Sequence, residues 1–233
     1  MERTGVIIVA GGSGRRCGGP LPKQFQLLDG RPVLARTIDA FAAALPGAEI
    51  VVVLPAEHLA FWRDLAARFD VKPHRTAEGG AERFHSVRRG IEALRTDPAL
   101  IAVHDGVRPL VSEELIRRVA ATAAAEGAAI PVLEPADSFR RIEGEGSQAL
   151  DRRTLRLVQT PQIFRAGALR RAYEAQWRAE FTDDASVAEA AGCPVALCEG
   201  EAINLKITRP EDLVIAEALL AALRRAREEQ WGA

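Results

Sequence analysis

The sequence predicts an α/β protein, Rossmann-like, with a mostly parallel sheet, helices on both faces and an added extended β-arm. Apolar, β-branched runs at 6–10, 49–54, 100–103 and 129–133 have the continuous character of strands buried on both faces. Segments with helical periodicity alternate with them, the order that builds a parallel sheet. The first run stops at glycines and basic residues, which is the make-up of a phosphate loop at the carboxyl edge of a first strand.

A chain of 233 residues suits one large domain, so residues 1–233 read as a single unit with 137–158 as a protruding arm. Hydrophobic residues make up 48%, enough for a sizeable core and too many for a disordered chain. The net charge of −1 argues against a general nucleic-acid or anionic-membrane binder, so the basic residues must act locally. Cys17, Cys193 and Cys198 are odd in number and fall in no metal spacing, and the opening Met1-Glu2-Arg3-Thr4 lacks the regions of a signal peptide. No apolar run is long enough to span a bilayer. A reduced, cytoplasmic setting is expected.

The remaining elements follow in order. Leu27 and Leu28 lead into a Gly30-Arg31-Pro32 turn. Pro32 suits a helix start, and Val33, Leu34, Ile38, Phe41 and Leu45 carry the helical period to Pro46-Gly47. Pro55 opens a helix with Leu59, Trp62, Leu65, Ala66 and Phe69 on one face, an ordinary core spacing. A short strand is expected over 71–75, then a glycine turn and a helix to about Leu94. Ser112 caps a helix with Glu113 and Glu114 in its first turn, and Gly127 ends it. Strand-like alternation over 138–142 and 153–158, around Gly144-Glu145-Gly146, predicts a two-stranded hairpin. Such a ribbon is marginal alone, so it should pack on something, another subunit included. A helix over 166–178, an N-cap cluster at 181–186 with a helix ending at Gly192, strands at 194–198 and 203–207, and a final amphipathic helix complete the chain.

Chemistry concentrates in a few places. Ala10, Gly11, Gly12, Ser13, Gly14, Arg15 and Arg16 form a loop whose successive N–H groups make an anion nest, with Lys23 adding charge nearby. It is no P-loop, since Gly-x4-Gly-Lys-Ser/Thr is missing, and Cys17 breaks a dinucleotide fingerprint begun by Gly12 and Gly14. Lysine occurs only at Lys23, Lys72 and Lys206, so at 23 and 206 a compact point charge is suggested where arginine is otherwise habitual. Gly79 and Gly80 precede a helix carrying Ser86, whose first N–H groups suit an anion or a base edge; a plain glycine turn with Glu82 on the helix dipole is the alternative. Asp105 ends a core strand, where it suits Mg²⁺ beside a triphosphate, directly or through water; an Asp-Gly turn paired with Arg108 is the alternative. His104 reads as structural.

The order of these motifs, continued by Thr160-Pro161-Gln162, Thr182-Asp183-Asp184-Ala185-Ser186 and Asn204-Leu205-Lys206-Ile207-Thr208-Arg209-Pro210, resembles the 2-C-methyl-D-erythritol 4-phosphate cytidylyltransferase family over nearly the whole length. The resemblance implies transfer of CMP from CTP to a polyol phosphate with a divalent cation such as Mg²⁺. It implies that the loop from Ala10 to Arg16 holds the triphosphate, with Arg16, Lys23 and Lys206 at the reacting phosphates. Gly80 and Ser86 fall where the family reads cytosine, and Asp105 where it positions substrate and metal-bound phosphates; Arg108 belongs to the same motif. Thr160 and Thr182 match positions that hold the sugar phosphate, and Arg152 an arginine on an arm entering the partner's site, hence a homodimer. The arm's start departs from the family pattern: Asp137-Ser138-Phe139-Arg140 keeps a hydroxyl at Ser138 but places Arg140 where lysine is usual. Gly11 and Gly106 stand where the family commonly has alanine. Two rivals stay open: the same chemistry on another acceptor such as ribitol 5-phosphate, and a non-catalytic nucleotide-binding protein on this fold.

Overall fold

The computed structural model describes residues 2–11 and 21–231. Strand β1 (Thr4–Val9) is followed by the short ribbon β2 (Leu27–Leu28) and β3 (Arg31–Pro32), turned by Asp29 and Gly30 at φ 47° and 73°. Helix α1 (Val33–Ala44), β4 (Glu49–Leu54), α2 (Ala56–Arg68), β5 (Arg75–Glu78), α3 (Arg83–Ala93) and β6 (Leu100–Asp105) come next. Ser112 caps α4 (Glu113–Glu126) by accepting from the Leu115 N–H at 2.9 Å, and Gly127 ends it at φ 98°. Then come β7 (Ala128–Leu133), β8 (Phe139–Glu143), β9 (Gly146–Leu150), β10 (Leu157–Val158), β11 (Gln162–Arg165), α5 (Ala166–Ala172), α6 (Asp184–Ala190), β12 (Ala196–Glu199) and α7 (Pro210–Trp231).

The main sheet runs β10-β7-β11-β6-β1-β4-β5, with β12 on β7. β6, β1, β4 and β5 are parallel, β12 is parallel to β7, and β11 runs antiparallel between β6 and β7. The chain steps from β1 outward to β4 and β5, then returns to lay β6 on the other side of β1. Strand order therefore reverses at β1, and a crevice opens at the carboxyl ends of β1 and β6, where open α/β sheets bind ligands. Val9 lies opposite both Val53 and Asp105. Just beyond, Val9 O accepts from Gly106 N and Ala10 N donates to Val53 O, both at 2.9 Å.

Alternation along the central strands produces two core layers. Val6, Ile8, Ile50, Val52 and Ala102 pack with α1 and α4 on one face. Ile7, Val51, Val53, Ile101 and Val103 pack with α3, α5 and α6 on the other. This is the mostly parallel, two-sided α/β sheet expected.

Four local expectations are corrected. The fifth strand begins at Arg75 rather than 71, because 70–71 close α2: Asp70 takes φ 45° and Val71 N donates to Ala66 O at 3.0 Å. The hairpin pairs β8 with β9 rather than with 153–158, because the two-residue turn Gly144-Glu145, with Gly144 at φ 57°, sets Glu143 opposite Gly146. Residues Arg152–Thr154 form a 3-10 turn, and β10 rejoins the main sheet. The helix after β11 stops at Ala172, not 178, as Tyr173 turns inward to stack on Phe84 at 4.8 Å and donates to Asp184 Oδ1. Residues 203–207 are not a strand; Asn204 and Ile207 are tied by hydrogen bonds to Thr160, Arg108 and Val107 instead.

Gly90 marks where α3 presses on the sheet: a Cβ there would stand 2.5 Å from Ile7 Cγ2 and 3.0 Å from Val53 Cγ2. Gly90→Ala is expected to lower stability by about 1–3 kcal/mol despite alanine's helix propensity, measured by urea unfolding. Glu49 gives a second expectation. Desolvation would raise its pKa, but hydrogen bonds from Arg95 N, Thr96 N and Oγ1 and Arg75 outweigh this and take it from an ordinary 4.5 to about 2. A carboxylate depressed by folding stabilises above its unfolded pKa, and that contribution fades as pH falls through the folded value. Glu49→Gln should therefore cost stability at neutral pH and show a shallower fall in Tm between about pH 4.5 and 2 than the wild type.

Candidate active site

The crevice at the carboxyl ends of β1 and β6 holds a cleft of about 460 Å³. Its lining draws on the end of β1 (Val9, Ala10, Gly11), the Lys23–Gln24 turn, the loop into α3 (Gly80 to Arg83, with Ser86), Asp105 and Val107 after β6, and Lys206. The loop is shaped by its own polar groups. Gly80 N donates to Ser86 Oγ at 3.1 Å, and Ser86 Oγ donates to Glu82 O at 3.2 Å. A Cβ on Gly80 would fall 2.3 Å from His85 Cβ, so this position requires glycine. Gln24, buried, donates from Nε2 to Ala10 O at 3.1 Å and so ties the Lys23 turn to the end of β1.

Three cations converge on Asp105. Lys206 Nζ stands 3.0 Å from Oδ2, Arg108 Nε 3.3 Å from Oδ2 and Arg83 Nε 3.7 Å from Oδ1. Burial alone would raise the Asp105 pKa, since Asp105 is 7% exposed; the charges of Arg83, Lys206 and Arg108 overcome it and hold the carboxyl well below the usual range. Arg83 also makes a bidentate pair with the fully buried Asp184, at 3.0 and 2.7 Å. Asp184 in turn accepts from Tyr173 Oη at 2.6 Å. Arg83 thus links the cleft floor to the start of α6, where Asp183 and Ser186 form a capping box.

Behind Asp105 lies a hydrogen-bond chain. Asp105 N donates to Thr160 Oγ1 at 3.1 Å, and Thr160 Oγ1 contacts His104 Nδ1 at 3.0 Å. His104 Nε2 stands 3.3 Å from Arg108 O, which can only accept. Nε2 therefore carries the proton and Nδ1 accepts from the Thr160 hydroxyl. Burial pushes the His104 pKa down to about 3, consistent with this neutral tautomer and with the structural reading of His104.

The chain that forms this crevice was compared with known proteins. The model of the family described as 2-C-methyl-D-erythritol 4-phosphate cytidylyltransferase matches residues 4–222. The chain belongs to this family. A Bacteroides fragilis member is 48% identical over 222 residues, covering 94% of this chain and 100% of the relative. The crystal structure of the Thermus thermophilus member is 37% identical, with TM-score 0.72, covering 95% of this chain and 100% of that one. The synthase structure from Anaerococcus prevotii is 27% identical with TM-score 0.79, covering 94% and 96%. As a member of this cytidylyltransferase family the chain is a nucleotidyltransferase enzyme.

Of the residues that the family resemblance singles out, Ala10, Gly11, Lys23, Gly80, Ser86, Asp105 and Lys206 meet in the cleft. Arg108 lies beneath it, held by Asp105 and by Asn204 O at 2.8 Å. Thr160 is buried behind Asp105 with its hydroxyl engaged on both sides. Ser138, Arg152 and Thr182 are exposed and not among the cleft-lining residues; Arg152 donates to Ala136 O. Gly12, Ser13, Gly14, Arg15 and Arg16 lie outside the described residues. Among the described residues, a Cβ on Gly11 would meet Ser86 Oγ at 3.9 Å as its nearest contact, whereas one on Gly106 would meet Leu34, Ala10 and Ile8 at 3.0–3.2 Å. Sequence reasoning assigns Arg83 no role. Its signal is an arginine at the first residue of a helix, where the dipole disfavours a cation and an external carboxylate is needed.

Thr160→Val is expected to leave the Asp105 N–H and His104 Nδ1 without this shared hydroxyl and to cost about 1–3 kcal/mol for each group stranded. Thr160→Ser should restore most of that loss. Denaturant unfolding of both variants checks it.

Proposed function

We propose that this cleft transfers CMP from CTP to the phosphate of 2-C-methyl-D-erythritol 4-phosphate, giving 4-diphosphocytidyl-2-C-methyl-D-erythritol and pyrophosphate in non-mevalonate isoprenoid biosynthesis. The observation that supports the reading is the cleft at the switch point of the sheet, lined by Lys23 together with Asp105 and the Arg83 and Lys206 cations paired with it. A phosphate oxygen of the acceptor forms a bond to the α-phosphorus of CTP, and the bond from that phosphorus to the bridging oxygen breaks as pyrophosphate leaves. The attacking oxygen is already ionised at neutral pH, so the protein needs no strong general base. Its work is positioning and neutralising charge in an in-line transfer. That suits a site of cations and backbone N–H groups.

In this reading Lys23, Lys206 and Arg16 stabilise the charge that builds at the α-phosphate and on the leaving group, and the triphosphate is bound by residues 10–16. Gly80 and Ser86 face the cytosine. Asp105 contributes one carboxylate, and among the described residues no cluster of three or more His, Cys, Asp or Glu could hold an ion by itself. Asp105 would offer Mg²⁺ a carboxylate, a donor set that fits an ion bound mainly through its substrate's phosphates. When bound, the ion neutralises triphosphate charge. Ser138, Arg152 and Thr182 bind the acceptor, Arg152 from a second copy of the chain. Ile142, 74% exposed on the β8–β9 ribbon, supports a homodimer through that ribbon, which is marginal alone. No helix among the described residues is long and apolar enough to cross a membrane. The cytoplasm is the compartment this reading assigns.

The test supplies CTP and Mg²⁺ with 2-C-methyl-D-erythritol 4-phosphate or ribitol 5-phosphate and follows pyrophosphate. Preference for ribitol 5-phosphate would sink the assignment, and CTP binding with no pyrophosphate from either acceptor would point to a non-catalytic protein. Lys23→Ala should lower turnover roughly a hundredfold, as for loss of one preorganised charge-stabilising donor.

A further inference from the structure

Besides the Gln24 tie to Ala10 O, the turn that bears Lys23 is packed against α2. Lys23 belongs to the 3-10 turn Lys23–Phe25, closed by Phe25 N donating to Pro22 O at 2.9 Å. The third residue of that turn, Phe25, is 1% exposed. Its ring meets three rings from α2: His58 edge-on at 5.5 Å, Phe61 at 5.1 Å and Trp62 stacked at 5.9 Å with planes 20° apart.

Trp62 is fixed in turn. It is fully buried, and it is the buried residue of α2; the other twelve positions of that helix are partly or fully exposed. Its indole N–H donates to His74 Nε2 at 2.9 Å. His74 Nε2 accepts, so Nδ1 carries the proton and donates to Lys72 O at 2.7 Å. The indole therefore has a set plane as well as a set position. An aromatic stack transmits that setting, because offset or tilted rings lose contact when either slides. From Lys72 O to Lys23 there is one continuous path: carbonyl, imidazole, indole, phenyl ring, and the turn bearing the lysine.

We propose that Phe25 and Trp62 are positioning residues for the transfer reaction: the ring stack between the Lys23 turn and α2 sets the place of the Lys23 ammonium in the cleft. This rests on the reading of Lys23 as a stabiliser of phosphate charge. It gives α2, which also packs Leu59, Leu65 and Ala66 against the core, the added task of bracketing that turn. The stack acts through Lys23, so its contribution to catalysis vanishes once the lysine is gone.

A double-mutant cycle reads this directly. Phe25→Leu keeps an apolar side chain but breaks the stack, and Trp62→Phe keeps a ring but removes the hydrogen bond to His74. Each is combined with Lys23→Ala, and pyrophosphate release from CTP and 2-C-methyl-D-erythritol 4-phosphate is followed alongside Tm. The expected result is about a tenfold fall in kcat for Phe25→Leu and a smaller fall for Trp62→Phe, as for a displaced catalytic group. Each double variant should turn over no more slowly than Lys23→Ala alone. A kcat within twofold of wild type for both single variants overturns the proposal, as do double variants whose losses multiply. Near-normal turnover of Lys23→Ala overturns the reading of Lys23 and the proposal with it, whereas a slow Lys23→Ala with multiplying losses overturns the proposal alone. Should Phe25→Leu fail to fold, the Trp62→Phe arm decides by the same criteria.

Discussion

Asp105 is a buried carboxylate answered by cations from three separate parts of the chain: Arg83 at the start of α3, Arg108 in the turn after β6, and Lys206 in the segment before α7. An isolated charge at this depth would be strongly disfavoured, and removing one member of such a cluster leaves the others imperfectly paired. The cluster therefore joins segments that share no secondary structure, and it joins them where the strand order reverses at β1. Its members are not equivalent. The Arg108 side chain is 11% exposed and the Lys206 side chain 43%, so Lys206 is the partner that faces the open cleft while Arg108 stays beneath.

α3 serves the site and the core with different residues. Its first turn supplies Arg83 and Ser86 to the cleft, Val87 and Ile91 enter the core, and Gly90 lets the helix axis come close to β1 and β4. A helix held this tightly to the sheet gives the Gly80 loop a rigid far end. The loop is then held by two side chains of α3: the Ser86 hydroxyl at Gly80 N and Arg89 Nη1 donating to Gly79 O at 2.6 Å.

Much of this was legible in the sequence, for physical reasons that differ by element. The central strands announce themselves because both their faces are buried, leaving unbroken apolar runs at 50–54 and 100–103. The end of β6 was harder, since His104 and Asp105 are polar and their burial depends on partners distant in the chain. The hairpin's turn was visible in Gly144, but the partner strand was not, because Gly146-Ser147-Gln148-Ala149-Leu150 lacks the alternation that 153–158 shows and is chosen by the turn geometry. The 203–207 segment has strand-like residues, yet its hydrogen bonds go to Arg108, Thr160 and Val107. In the site, Lys23, Gly80, Ser86, Asp105 and Lys206 could be picked out by residue type and order. The role of Arg83 could not, because its carboxylate partner lies a hundred and one residues away. Nor could that of Phe25, since an aromatic spacing on α2 looks the same whether it fills a core or braces a turn.

The junction of β10 and β11 carries a consequence of its own. From Val158 to Ile163 this strand advances five residues while β7 opposite advances three, from Val132 to Ala129. The surplus gathers around Thr160 and Pro161, where the chain leaves the ladder so that Thr160 meets Asp105 and His104. The surplus is even, so the side chains of β11 keep the facing that β10 began. A single inserted or deleted residue there would break this parity and turn Ile163 and Phe164, which now pack on opposite faces of the sheet, each into the other's layer. A change of one residue is therefore disfavoured at the junction on geometric grounds and is tolerable at solvent-facing turns such as Gly144-Glu145.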